Sequence, residues 1–112
     1  MRARDKIAAA AERRLEPGEH IHAAFAGQPH IRFQLGRDRY RTVVVTDRRV
    51  LVFDSGTFSQ TKVKDCLAEL GRDVRFGSAT GLWHSVTLGD IALSVNRRYF
   101  GELAAADAAM VR

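Results

Sequence analysis

The chain has 112 residues, of which 46% are hydrophobic and 28% are charged, and its formal net charge is +5 at neutral pH. These are ordinary values for a soluble globular protein, and they exclude a spanning helix, because no apolar run reaches the required length. We therefore predict a single domain over residues 1–112, long enough to bury roughly two-thirds of its unfolded surface. The basic start lacks the apolar content of a signal peptide, and the lone Cys66 fits a reducing compartment, so we expect a cytoplasmic protein.

The positive charge allows two interpretations. A basic protein of pI near 10.1 is suited to bind nucleic acid or anionic lipid. The charge, however, comes mainly from arginines scattered along the chain, as in the arginine-rich proteome of a high-GC bacterium. We favour this second, simpler interpretation, because net charge by itself determines solubility and loose binding.

An N-terminal helix is predicted over Asp5–Leu15. Alanine is the best helix former, Asp5 is suited to the N-cap, and Pro17 with Gly18 ends the helix. The apolar stripe is thin, so this helix needs a surface to lie against. The stripe consists of Ile7, Ala11 and Leu15.

The first strand is predicted over Glu19–Ala26, where apolar and polar residues alternate, and His30–Asp38 is a loop or an irregular strand. The strongest strand signal follows. Two β-branched runs, Val43–Val45 and Val50–Phe53, flank Thr46-Asp47-Arg48-Arg49, where Asp closes a tight turn. This pattern predicts a central β-hairpin.

Both faces of the central hairpin are apolar, which is unusual for a strand that buries one side only. A cover is needed, because exposed apolar patches are uncommon on monomers. The candidates are the N-terminal helix and a second copy of the chain. Because the helix stripe is mostly alanine, the sequence favours an oligomer.

The segment after the hairpin is harder to interpret. Thr57–Lys64 is polar and predicts a loop or a poor strand, whereas Lys64–Leu70 fits either a short helix or a strand. Val74–Phe76 predicts a short strand.

A second hairpin is predicted from Leu82–Leu88 and Ile91–Val95, which flank the tight turn Gly89-Asp90. Alternation separates the apolar positions of the first of these strands from Trp83, Ser85 and Thr87. A C-terminal helix follows over Arg97–Met110, with Asn96 as its N-cap.

The stretch Val44–Phe53 resembles the T-D-R-R-hydrophobic hairpin of bacterial pleckstrin-homology-like (PH-like) domains. Gly81-Leu82-Trp83-His84 and Val95–Phe100 are similar to a pattern in small actinobacterial proteins. The resemblance implies an α+β, mainly β fold. A bent antiparallel barrel over about residues 19–96 is capped by the C-terminal helix, and the N-terminal helix is an addition. It also implies a binding module, since members of the wider superfamily bind lipid headgroups, peptides or proteins.

The resemblance points to one candidate anion site, formed by Arg32, Arg37, Arg39 and Arg41 in the connection between the first two strands. Guanidinium groups suit phosphate oxygens, and relatives use this connection to hold phosphoinositides. Asp38 interrupts the run, so we expect an exposed, solvated loop instead.

The remaining polar residues predict no chemistry. His20 and His22 share a strand face but lack further metal ligands, His84 is expected to be half-buried and satisfied, and Cys66 to be a small core residue. No phosphate-loop, zinc-protease or nucleophile-elbow motif occurs. We expect neither enzyme activity nor a cofactor or metal. The turn arginines, Arg48 and Arg49, are expected to be solvated.

The sequence therefore predicts a non-catalytic binding or scaffolding module that acts through protein–protein contacts, with an unknown protein partner. The alternative is peripheral binding to anionic membrane or nucleic acid through the loop arginines. The predicted core comprises Val44, Leu51, Phe53, Trp83, Val86, Leu93 and Tyr99.

Overall fold

The computed structural model describes residues 2–29, 40–56 and 60–110. In these residues two helices enclose six strands in chain order, and a short 3-10 turn adjoins each helix. The elements are α1 (Ala3–Ala11), a 3-10 turn (Glu12–Arg14), β1 (Ile21–Pro29), β2 (Tyr40–Thr46), β3 (Arg49–Gly56), β4 (Cys66–Gly71), β5 (Trp83–Leu88), β6 (Ile91–Asn96), a second 3-10 turn (Arg97–Tyr99) and α2 (Phe100–Met110).

The strands form one curled antiparallel sheet in the order β4-β3-β2-β1-β6-β5. β1 joins the two halves of the sheet, because its first part pairs with β2 and its last two residues, Gln28 and Pro29, pair with β6. Gly27 makes this close approach feasible, since a Cβ there would lie 3.1 Å from the Cβ of Leu93. The half-barrel with a helix at each end of the chain confirms the predicted PH-like fold.

The central hairpin forms as predicted and is buried on both faces. Val43 pairs with Val52 and Phe25 on the inner face, where the Phe25 ring meets the Phe76 ring edge-on at 5.5 Å. The opposite, outer face carries Val44, Leu51 and Phe53, which are at most 3% exposed.

The helix α1 covers this outer face. It packs on β1 and β2 and buries Ile7 and Ala11 completely, and the Arg14 guanidinium lies 5.5 Å from the centre of the Phe53 ring. The chain thus supplies one of the two predicted covers, the N-terminal helix, so this face gives no reason of its own to expect a second copy. Asp5 is also not the N-cap, because the helix begins earlier and Arg2 occupies that position.

At the other end of the chain, the side chain of Asn96 accepts a hydrogen bond from the Arg98 amide, as expected of the N-cap. Val74–Phe76 is not a strand, since the amide of Phe76 donates to the Asp107 carboxylate of α2 at 2.8 Å rather than to a neighbouring strand. Of the two options for residues 64–70, the strand is correct. The predicted loop at residues 30–38 lies outside the described residues.

The predicted core is right with one exception. Six of its seven residues are at most 4% exposed, but Trp83 is 50% exposed. Trp83 lies on the outer face of β5, beyond the part of the sheet that α1 covers. Cys66 is exposed as well, because it begins the edge strand β4.

Candidate protein-binding surface around Trp83

Trp83 and its neighbour Leu82 form the most exposed large apolar pair in the described residues, at 50% and 60% exposure. The sheet surrounds Trp83 with polar side chains: it pairs with Asn96 across β6, and the next outward position, Ser85, pairs with Ser94. Ser94 in turn pairs with Gln28 of β1. A large indole therefore projects from an otherwise polar strip.

A groove of about 190 Å³ lies beside the indole, where the ends of β1 and β2 meet β6 and the turn before α2. Amide, hydroxyl, indole and guanidinium groups surround it, and none of the described residues that line it carries a carboxylate. We call it the Trp83 groove, and its principal residues are Gln28, Tyr40, Gln60, Trp83, Asn96 and Arg98.

Arg98 forms the far wall of this groove. Its guanidinium lies 4.9 Å from the centre of the Tyr99 ring and donates hydrogen bonds to the Gln60 side-chain oxygen and, at 3.1 Å, to the Tyr99 hydroxyl. The stacked ring and the two acceptors hold the cation in one orientation.

A second cavity of about 290 Å³ continues beyond Arg98 and Tyr99 towards the start of α1. Its charged residues are Arg2, Arg4, Arg98 and Glu102. Glu102 is already engaged, since it accepts from Arg4 at 3.0 Å and from the Ala24 amide at 3.0 Å. The continuous surface from Trp83 to α1 is therefore positive.

In the T-D-R-R turn, by contrast, the polar side chains of Thr46, Asp47 and Arg49 form hydrogen bonds to other groups of the same chain. The Thr46 hydroxyl oxygen accepts from the amides of Arg48 and Arg49 at 3.1 Å each. The Asp47 carboxylate accepts from the His20 amide at 3.0 Å, and this bond keeps the pKa of the Asp47 carboxyl below its usual value. The turn is thereby fastened to the residues that precede β1.

Arg49 adds a second link between the turn and the segment that precedes β1. Its guanidinium donates two bonds of 2.9 Å to the buried Glu19 carboxylate, which lowers the pKa of Glu19 from 4.5 to about 2. The same partner raises the pKa of Arg49, which also binds Glu69 at 2.9 Å. Arg49 does not solvate the turn as expected; Arg48 is the exposed arginine of the two.

Of the four candidate anion-binding arginines, the structure describes one. Arg41 is only partly exposed and pairs with Asp54 at 3.3 Å, so the expectation of a solvated side chain is wrong for this residue. Arg32, Arg37 and Arg39 lie outside the described residues, and their role stays a prediction.

The described histidines and cysteine are not arranged for catalysis. The Nε2 atom of His84 lies 2.7 Å from the carbonyl oxygen of Phe76, and Cys66 contacts the carbonyl of Ala68. His20 is exposed, and Nδ1 of His22 lies 3.5 Å from Arg72. Within residues 2–29, 40–56 and 60–110, no three His, Cys, Asp or Glu side chains come close enough to hold a metal ion.

Arg72 is a partly buried cation that follows β4. Burial lowers its pKa, although it donates to the Ala106 carbonyl at 2.7 Å. This contact joins the residue after β4 to α2, and Arg72 is not among the described residues that line the Trp83 groove, so we assign it a structural role.

Sequence reasoning missed most of the groove, because its residues come from β1, β2, β6 and the turn before α2. One signal was available. Trp83 alternates with Ser85 and Thr87, on the polar side of its strand, and this pattern indicates an outward indole rather than a core one. None of the helices in the described part of the chain has the length and apolar character needed to cross a bilayer.

A comparison with protein families gives a match over part of the chain. Residues 15–67 match the family model described as bacterial PH domain. This region contains β1, β2, β3 and the T-D-R-R turn, whereas β5, β6 and α2 lie outside it. No curated protein and no solved structure matches the chain significantly.

Proposed function

Because this chain is a bacterial PH-like domain, we propose that it is a cytoplasmic, non-catalytic module that binds a protein partner through the Trp83 groove. PH-like domains are binding and scaffolding modules in general. The proposal adds the surface and the kind of contact.

The single observation that carries the proposal is the half-exposed indole of Trp83 beside a groove. Tryptophan, tyrosine and arginine are the residues most enriched among the energetic anchors of protein interfaces. All three residue types occur in the lining of this groove, as Trp83, Tyr40 and Arg98.

The size and chemistry of the groove suggest what it accepts. Its 190 Å³ is below the roughly 300–1,000 Å³ typical of small-molecule sites, so it suits one side chain of a larger partner. The amides of Gln28, Gln60 and Asn96 offer hydrogen bonds to an extended backbone, and Arg98 offers a cation to a carboxylate. We therefore propose a partner segment that carries an apolar anchor and an acidic residue.

Site-specific photo-crosslinking in the native cell tests this proposal. A photoreactive phenylalanine analogue replaces Trp83 in one variant and the exposed Ala104 of α2 in a matched control. We expect a discrete adduct between position 83 and a different protein, and we expect this adduct to be absent from position 104. Identical adducts from both positions, or none from position 83, would contradict the proposal.

Binding through arginine to an anionic surface is the competing function, and salt distinguishes it. Contacts between arginine and phosphate weaken steeply between low and physiological salt. We expect the purified chain to show no binding to phosphatidylglycerol vesicles or duplex DNA at physiological salt. Retained binding that Arg37→Gln and Arg39→Gln abolish would favour the loop arginines instead.

A further inference from the structure

The strand β5 forms one edge of the sheet, and among the described strands it pairs only with β6. The Arg97 amide donates to the Leu82 carbonyl at 2.8 Å, which fixes the phase of this ladder. Residues alternate between the two sides of an antiparallel strand. Because Leu82 points its carbonyl to β6, Trp83, Ser85 and Thr87 point their N–H and C=O groups to the open edge.

These outward groups have no hydrogen-bond partner among residues 2–29, 40–56 and 60–110. The side chains of Trp83, Ser85 and Thr87 are exposed too, so nothing in the described part of the chain covers the edge.

The edge also lacks the features that keep natural edge strands apart, which are charges, prolines and bulges. From Ser78 to Gly89 the sole ionisable side chain is His84, and its ring is bound to the Phe76 carbonyl. The pairing of β5 with β6 contains no register shift. The opposite edge, β4, carries Glu69 and is flanked by charged residues.

We infer that β5 pairs with β5 of a second copy of the chain, antiparallel and about a two-fold axis, and that this joins two sheets edge to edge. The inference stands independently of the proposed partner contact. A strand that is uncharged and exposed on its outer side is compatible with itself, because no like charges face each other in such a pair.

The register follows from the side chains. An axis through Ser85 places each Trp83 opposite Thr87 of the partner subunit, an aromatic and β-branched pair of the kind that stabilises sheets. An axis through Val86 instead places Trp83 opposite a glycine of the turn, where no side chain meets it. The first register is therefore favoured, and it brings a threonine of the second copy beside the Trp83 groove.

Net charge gives this dimer a distinctive salt dependence. Each copy carries +5, so the two copies repel each other at low salt although the edge itself is neutral. Added salt should strengthen the dimer, the opposite of the effect on arginine–phosphate binding.

The test compares three substitutions at the axis by light scattering after gel filtration and by sedimentation equilibrium. Ser85→Pro removes an outward N–H and leaves the β5–β6 ladder intact, since proline is tolerated on the open side of an edge strand. Ser85→Lys places two ammonium groups face to face across the axis. Ser85→Ala keeps the backbone and is the matched control.

We expect wild type and Ser85→Ala to approach twice the monomer mass of 12.5 kDa as concentration rises. Ser85→Lys, and Ser85→Pro if it keeps the far-ultraviolet spectrum of wild type, should remain monomers. A wild type that stays monomeric at the highest soluble concentration and in high salt overturns the inference. So does a dimer that Ser85→Lys leaves unchanged. An adduct from position 83 to a second copy of the chain reports this dimer, whereas an adduct to a different protein reports the proposed partner contact, so the two proposals fail separately.

Discussion

Glu19 and Arg49 join the segment before β1 to the β2–β3 turn through two parallel hydrogen bonds of 2.9 Å each. The Glu19 side chain is completely buried, and its second acceptor role is to the Thr46 hydroxyl at 2.7 Å. A bidentate arginine–carboxylate pair of this kind is strong only while the carboxylate stays ionised.

The Glu19–Arg49 pair makes the free energy of unfolding depend on pH in the acid range. The pKa of Glu19 is about 2 in the folded chain and 4.5 when unperturbed, so the unfolded chain takes up a proton first as the pH falls. The resulting stabilisation is complete above pH 4.5 and is lost as the pH falls towards 2. It amounts to about 3 kcal/mol at most.

Urea unfolding of wild type and Glu19→Gln across this pH range measures the effect. We expect the free energy of unfolding of wild type to fall more steeply with acid than that of Glu19→Gln, and the two curves to converge near pH 2. Parallel curves would show that Glu19 is not the group that titrates.

A second prediction concerns the contribution of Thr46, in the same turn, to the free energy of unfolding. Thr46→Val keeps the shape of this buried side chain but removes the acceptor of the Arg48 and Arg49 amides and the donor to Glu19. The expected loss is about 1–3 kcal/mol in the free energy of unfolding, because buried polar groups lose their partners. The exposed Thr80→Val is the control and should change stability little.

Phe53 tests whether the hairpin is the centre of the fold. It is 1% exposed, so Phe53→Ala should cost about 3–5 kcal/mol by leaving a cavity. Leu67→Ala, on the edge strand and 44% exposed, is the matched control. A loss below about 1 kcal/mol for Phe53→Ala in denaturant unfolding would mean that the hairpin is not central.

The sequence predicts the fold better than the site for a physical reason. The hairpins depend on local signals, namely β-branched runs, alternation and turn residues, and these lie within a few positions of one another. The Trp83 groove depends on side chains from distant parts of the chain, such as Gln28 and Arg98, which meet only after β1 pairs with β6. The periodicity of apolar residues within one segment does not indicate which distant side chains come together in the folded chain.

The error over the outer face has a different origin. The sequence predicts the apolar stripe of the N-terminal helix, but the small area of its alanines favours a second copy as the cover of the hairpin. Ile7 and Ala11 suffice because a small residue lets the helix approach the sheet closely, and Arg14 extends the cover over Phe53. Similarly, Arg41 was grouped with the loop arginines, although its partner Asp54 lies opposite it on β3.

The arginines of the β1–β2 connection can now be separated by substitution. Arg37→Gln combined with Arg39→Gln should leave the free energy of unfolding within about 0.5 kcal/mol of wild type, as expected for solvated side chains. Arg41→Gln should cost about 1 kcal/mol, because it breaks the ion pair with Asp54. Thermal unfolding of both variants distinguishes the roles; equal losses would contradict the separation.

The cover formed by α1 gives the last prediction. Ile7 is completely buried between α1 and the sheet, so Ile7→Asp places an unpaired carboxylate against the outer face. The helix should detach, because its remaining apolar stripe is mostly alanine and α1 is too short to be stable alone. One apolar patch, formed by Val44, Leu51 and Phe53, would then be exposed.

We expect Ile7→Asp to increase the fluorescence of a hydrophobic dye and to raise the mass measured by light scattering, while the circular dichroism signal of the β-sheet is retained. Ala9→Ser, on the exposed side of the same helix, should change neither. The association caused by Ile7→Asp should persist when Ser85→Lys is added, because this association uses the outer face of the sheet and not the β5 edge.

If Ile7→Asp binds no more of the hydrophobic dye than wild type does, α1 is not the cover of the outer face.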